Sequence, residues 1–236
     1  MTWWSGPLAA FDLETTGPEP TTDRIVTAAV VARNPGGEIA GVDRHWLADP
    51  GVPISEGATK VHGITTAHAQ ANGWPIATVV DQVVAALAEL VAQCPLVIYN
   101  APFDLTMLDR EARRHGIRPL DLTQAVIVDP LVLDKQLDRY RKGSRRLDAC
   151  CAHYQVTLDE AHEATADALA AMRVAWRIGK AYPKVGSLPG RDLMAYQARA
   201  RAAQANSLAA YFKCTGQPQP VSREWPVQAL KGDVVL

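Results

Sequence analysis

Two carboxylates, Asp12 and Glu14, close the apolar run Leu8-Ala9-Ala10-Phe11 within Phe11-Asp12-Leu13-Glu14-Thr15-Thr16-Gly17. Successive side chains of a β-strand point to opposite faces, so these two share a face about 7 Å apart along the strand. Unpaired carboxylates on one face of a buried strand repel each other and are costly to desolvate. A divalent cation removes both penalties, and oxygen donors select a hard ion, Mg2+ or Mn2+.

Three further segments carry groups suited to the same chemistry. Asn100-Ala101-Pro102-Phe103-Asp104 follows an apolar run and opens a helix, which puts Asp104 at the carboxyl end of a sheet, where ligands gather in α/β folds. His162-Glu163-Ala164-Thr165-Ala166-Asp167 places a histidine just before a helix and an aspartate in its first turns. His62 lies in Val61-His62-Gly63-Ile64. Taken singly, each has a plainer use: Asp104 suits a helix cap, Asp167 a first-turn charge favoured by the helix dipole, His162 an ordinary surface position. Together they match the needs of a two-metal hydrolase. Such a site takes about four carboxylates around ions ~3.5–4 Å apart, with a base near the attacking water. Asp12, Glu14, Asp104, Asp167 and His162 supply that set.

The elements that must position these groups follow from hydrophobic periodicity. Leu8–Glu14, Arg24–Asn34 and a stretch around Gly41–Leu47 are expected as strands of an antiparallel meander, with a turn at Pro35-Gly36-Gly37. Ile76, Val79, Val80, Val83, Val84, Leu87, Leu90 and Val91 repeat at three and four, which predicts an amphipathic helix with Pro75 at its first turn. Leu96–Asn100 and Ala125–Val128 are expected strands. Phe103–His115, Arg146–Gln155, Glu163–Lys180 and Asp192–Phe212 are expected helices, and Asp138–Arg146 a polar loop. Strands first and then alternating helix and strand predict a mixed sheet with helices on both faces. Residues 1–182 are expected to form the main domain. Residues 183–236 contribute a helix and a Pro-containing tail, packed on the core or serving a partner as an appendage.

Composition fits a soluble globular chain of 236 residues, with 48% hydrophobic and 21% charged residues. No apolar run approaches the ~20 residues that span a bilayer, so no membrane partner is expected. The first residues lack a secretory pattern, and Cys94, Cys150, Cys151 and Cys214 show neither metal-ligand nor disulfide spacing, which predicts a cytoplasmic protein. Net charge is only −1, but it is unevenly spread. Arg24, Arg33, Arg44 and Lys60 are the only basic residues before Arg110, whereas Arg110–Arg146 is strongly basic. That distribution suits an acidic metal site beside a phosphate-binding rim, or else a solvated helix face followed by a charged loop.

FDLETTG, NAPFD and HEATAD, in this order and spacing, resemble the three exonuclease motifs of the DEDDh 3′–5′ exonucleases. Within that group the VHGI element and NAPFD resemble the proofreading (epsilon) subunit of bacterial DNA polymerase III, over roughly residues 7–180. The resemblance implies an α/β, RNase H-like fold with a five-stranded mixed sheet flanked by helices. It implies that Asp12, Glu14, Asp104 and Asp167 hold two Mg2+ or Mn2+ ions, and that His162 acts as general base. Less directly, it implies substrate contact at Leu13, Thr15, His62 and Phe103. The implied substrate is a single-stranded or frayed 3′ end of DNA, cleaved to 5′-mononucleotides, with a DNA polymerase as a possible partner. RNA trimming by the same chemistry and an accessory nucleic-acid-binding role are the alternatives. After Pro183 the resemblance fades. No sliding-clamp peptide stands out: Gln204, Leu208, Tyr211 and Phe212 fit a helix packing face.

Overall fold

The computed structural model describes residues 2–34, 37–158 and 162–230. A six-stranded mixed sheet forms the centre, in the order β4-β3-β2-β1-β5-β6. Strands β1 (Leu8–Thr15), β2 (Ile25–Asn34) and β3 (Gly37–Asp49) build the expected antiparallel meander. Positions 35 and 36 of the expected turn lie outside the described residues. Helices α1 (Glu56–His62) and α2 (Thr66–Asn72) follow, and β4 (Trp74–Pro75) then pairs in parallel with the end of β3. This two-residue strand is why the sheet has six strands rather than five. Helix α3 (Ile76–Val91) leads to β5 (Leu96–Val97), and α4 (Ala101–Arg114) to β6 (Ile127–Val128). Both short strands run parallel to β1, and each is shorter than the apolar run that contains it. Helices α5 (Pro130–Leu137), α6 (Leu147–Tyr154), α7 (Ala164–Ala181), α8 (Pro183–Gly186) and α9 (Gly190–Cys214) complete the chain.

The alternation of β1 decides what faces what. Ala9, Phe11 and Leu13 pack into a core with Val79, Val83 and Leu87 of α3 and Leu105 and Leu108 of α4. Leu8 and Ala10 point the other way, into a second core with Ala168, Ala171, Val174 and Ile178 of α7. Asp12 and Glu14 continue this second row, so the carboxylates emerge on the α7 side, where the apolar row ends. Burying a side chain such as Phe11 contributes roughly 1.5–3 kcal/mol. Both layers thus hold β1 in register, and a one-residue slip would turn Asp12 and Glu14 into the α3–α4 core.

Two arginines of the basic loop after α5 turn inward, while Arg139, Lys142 and Arg146 stay exposed. Asp134 is fully buried and accepts hydrogen bonds from Arg141 Nη2 at 2.7 Å, Arg145 Nη1 at 2.6 Å and the Tyr154 hydroxyl at 2.9 Å. Burial pushes the Asp134 carboxyl up, but the hydrogen bonds from Arg145, Arg141 and Tyr154 outweigh it and hold the pKa below the usual range. Arg141 and Arg145 therefore order the loop instead of standing free.

The C-terminal segment is packed, not loose. On α9, Gln197 bonds the Ile127 carbonyl at 2.8 Å and the Asp129 N–H at 2.7 Å, and Gln204 bonds the Val132 carbonyl at 3.0 Å. The expected packing face stops there, because Leu208 and Tyr211 are exposed. Past α9 the chain returns across α4. Trp225 and Val227 pack on the first core, the Gln228 N–H donates to Thr106 Oγ1 at 3.0 Å, and Arg110 Nη2 donates to the Gln228 carbonyl at 2.6 Å. No described helix is long and apolar enough to cross a membrane.

Candidate active site

Asp12 and Glu14 reach the site from β1, Asp104 from the first turn of α4, and Asp167 from the first turn of α7. Asp104 is buried, and its Oδ1 accepts the Leu13 N–H at 3.1 Å, which fastens α4 to the end of β1 between the two strand carboxylates. The turn before α4 puts Asn100 at φ +65°, a left-handed conformation that asparagine tolerates. Pro102 then starts the helix.

His162 is also left-handed, at φ +70°. For a histidine this is uncommon, and such conformations concentrate at functional sites. Its N–H donates to Asp167 Oδ2 at 3.3 Å. One ligand atom each from Glu14, His162 and Asp167 lie within 4.8 Å of one another.

The electrostatics are those of concentrated negative charge. Burial first, then Asp104, Asp167, Glu14 and Glu163, push the Asp12 carboxyl well above its usual range. Burial, Asp167 and Glu163 push Glu14 up to about 8. Burial and Glu14 raise Asp104 despite the Leu13 N–H, and burial raises Asp167 despite His162. Among the described residues no lysine or arginine forms an ion pair with any of the four. Asp167 Oδ1 is buried without a hydrogen-bond partner. Clustered hard oxygen donors, one of them unpartnered, with one imidazole and, among the described residues, no lysine or arginine ion-paired to them, fit one or more divalent cations.

A cleft of about 620 Å3 opens from this cluster, lined by His162, Asp167, Phe103, Val61, Lys135 and Arg146, among others. Of the residues expected to meet substrate, Phe103 lies on this wall. Leu13 is buried in the core, and the Thr15 hydroxyl donates to the Gly17 carbonyl at 2.7 Å. His62 stands beside Val61 rather than on the wall. Its Nε2–H donates to the Thr15 carbonyl at 3.3 Å and its Nδ1 accepts the Ile64 N–H at 3.1 Å, so the ring is a neutral clamp between α1 and β1. Burial lowers its pKa, with the Thr15 contact opposing and His162 adding to the shift.

Two acidic residues carry more than the sequence reading assigned them. Glu163 accepts the N–H groups of Thr165 at 3.2 Å and Ala166 at 2.9 Å, capping α7 while adding to the field on Asp12 and Glu14. Asp129 is fully buried and accepts from the N–H groups of Asn100, Ala101, Leu131 and Val132 and from Trp225 Nε1, at 3.0–3.2 Å. An aspartate ahead of Pro130 and an apolar run is a helix-cap signal, visible in the sequence for α5 though not for the α4 turn. Asp129→Ala strands these donors in the interior. The loss is expected to be roughly 3 kcal/mol or more, some 6–12 °C in Tm, read by thermal and urea unfolding. A shift below about 2 °C would show that the α4 turn does not depend on Asp129.

The protein-family model described as RNase_T, Exonuclease, matches residues 9–175, which contain all four carboxylates and His162. The chain belongs to the RNase T exonuclease family. Curated relatives of this RNase T family chain include the DNA polymerase III PolC-type of Lacticaseibacillus paracasei, 29% identical over 164 residues. The PolC-type polymerase of Streptococcus pyogenes serotype M2 is 31% identical over 165 residues. In each case the match takes in 70% of this chain but only 11% and 10% of the relative, so the chain spans about a tenth of their length. Among solved structures, E. coli Exonuclease I in complex with a dT13 oligonucleotide superposes with a TM-score of 0.65 at 20% identity. That superposition covers 76% of this chain and 42% of the other. The shared fold is the α/β, RNase H-like exonuclease fold, a mixed sheet flanked by helices.

Proposed function

We propose that this RNase T family chain is a metal-dependent 3′–5′ exonuclease that removes 5′-mononucleotides from DNA. The observation that carries the reading is the convergence of Glu14, His162 and Asp167 within 4.8 Å, beside Asp12 and Asp104, with no lysine or arginine ion-paired to them among the described residues and a cleft leading away. The relatives support DNA as the substrate: the PolC-type proteins are named DNA polymerases, and Exonuclease I is described in complex with dT13 and dA16 oligonucleotides.

Asp12, Glu14, Asp104 and Asp167 would hold two Mg2+ or Mn2+ ions. Bound there, such ions supply a lowered pKa for the attacking water and positive charge opposite the scissile phosphate. His162 in its neutral form accepts the proton of that water. The water oxygen bonds to phosphorus as the bond to the 3′-oxygen breaks, and that oxygen takes up a proton from solvent. A nucleoside 5′-monophosphate leaves, and the shortened strand ends in a 3′-hydroxyl. Asp104 also holds the Leu13 N–H, so it fixes the spacing of α4 and β1 across the centre. Phe103 and Val61 give the terminal bases an apolar surface at the cleft mouth.

Purified protein with a 5′-labelled single-stranded DNA and Mn2+ is expected to give a ladder shortening from the 3′ end, absent with Asp12→Ala. A matched RNA strand in parallel reports sugar preference. Equal ladders from both proteins would remove the reading, and a faster RNA ladder would change its substrate.

A further inference from the structure

We propose that the turn at residues 138–141 presents Tyr140 as a stacking platform for a base of the single-stranded substrate, upstream of its cleaved end. Arg139, Lys142 and Arg146 stand beside it for the flanking phosphates. This rests on the nuclease reading above and extends its substrate contacts from the cleft onto the loop after α5. Tyr140 is 87% exposed, and no other large hydrophobic side chain among the described residues is more so. A lone exposed ring is ordinary; its setting is what gives this one a use. The Arg139 guanidinium lies 5.9 Å from the ring centroid, and Arg139, Lys142 and Arg146 are all exposed. The acids of the loop face other groups. Asp134 is taken by Arg141 and Arg145, and Asp138 lies 3.4 Å from Arg141 Nε. Arg146 meets Asp148 only at 3.9 Å, with both side chains in solvent, a pair that contributes little.

Arg145 holds the turn from inside. The Arg141 N–H donates to the Asp138 carbonyl at 3.2 Å, which closes four residues with Arg139 and Tyr140 at the tip. Arg145 Nη2 donates to the carbonyls of Asp138 at 2.6 Å and Arg141 at 2.8 Å, and its Nη1 to Asp134 Oδ2 at 2.6 Å. One guanidinium therefore fastens both shoulders of the turn to a buried carboxylate. Arg145 also lines the catalytic cleft, together with Arg146, His162 and Asp167. Leu131 and Lys135 line it too; they sit one turn apart on α5, which ends where the bend begins. A strand leaving the centre along α5 thus reaches the Tyr140 ring. Cation and ring alternate over this loop as phosphate and base alternate in a strand, and every base has a π face to stack. A ring already set in place loses little freedom when a base stacks on it.

The test uses the full chain with Mn2+ and two substrates, a single-stranded DNA about 15 nucleotides long and a dinucleotide, which ends within the cleft. Tyr140→Ala is expected to raise KM on the longer strand roughly tenfold, with kcat within about twofold, through loss of one stacked base. Tyr140→Trp should keep the parent KM. Single-strand binding weakens with salt at a slope of about −0.7 per phosphate contact, so Arg139→Gln and Lys142→Gln should each flatten log KM against log salt by about 0.7. Tyr140→Ala should leave that slope as it is, which separates stacking from charge. On the dinucleotide the penalties should vanish. A melting curve confirms that each variant is folded, and fluorescence anisotropy of labelled DNA with Asp12→Ala as background reports binding without turnover. Unchanged KM on the longer strand, or equal losses on both substrates, would overturn the platform and leave the nuclease reading standing. Absence of Asp12-dependent cleavage in the parent protein would remove both.

Discussion

His162→Asn is expected to slow cleavage by roughly 10²–10⁴-fold while leaving oligonucleotide binding nearly unchanged. Asparagine is the informative replacement because the backbone at 162 is left-handed, which asparagine adopts readily and alanine does not. His162→Ala would mix loss of the imidazole with backbone strain, and the difference between the variants measures that strain. Single-turnover rates separate proton transfer from product release. A rate within about threefold of the parent would reassign the role, with Glu163, whose carboxylate caps the adjoining helix, as the next candidate.

Mn2+ is expected to raise Tm strongly at pH 8.5 and little at pH 5.5. The folded protein without metal holds Glu14 near pKa 8 against an ordinary 4.5, and burial raises Asp12, Asp104 and Asp167 in the same direction. A carboxyl whose pKa rises on folding binds protons more tightly in the folded state. Its contribution is therefore most favourable below about pH 4.5 and is lost as pH climbs through 8. Cations reverse that trend, because they bind the deprotonated form and compete with protons at low pH. At a metal concentration 100-fold above Kd the gain is about 2.7 kcal/mol, or roughly 5–11 °C for a chain of this size. EDTA should erase it. Equal shifts at both pH values would show that the four carboxylates are not the metal's ligands. Asp12→Ala should cut the pH 8.5 shift severely.

The legible parts of the fold were those whose physics is local. β1–β3 alternate over many residues, and α3 repeats its apolar positions at three and four, so both were visible as patterns. Helix α1 was not, because it buries none of its residues and carries no amphipathic stripe; Ser55 and Gly63 cap it locally. β5 and β6 are two-residue ladders inside longer buried runs, where periodicity cannot separate strand from turn. α5 had a readable start at Asp129-Pro130, but eight residues leave a weak period.

At the site, residue type and order pointed to the acids and His162, since carboxylates on an apolar strand demand an explanation. Three things needed coordinates. Arg141 and Arg145 looked like free basic charge but converge on Asp134, a pairing no spacing rule specifies. Leu13 and Thr15 flank the acids yet point inward. The Asp129–Trp225 bond joins residues 96 positions apart.

That bond has a practical corollary for anyone trimming the gene. A fragment halted near residue 182 would keep every acid and His162 but forfeit Gln197, Gln204 and Trp225. Leu193's partners would be bared, and the aspartate that steadies the NAPFD bend would lose one of its donors. Shortened versions ought to run through at least Gln228, and sluggish activity in a shorter one would report a slackened scaffold, not missing chemistry.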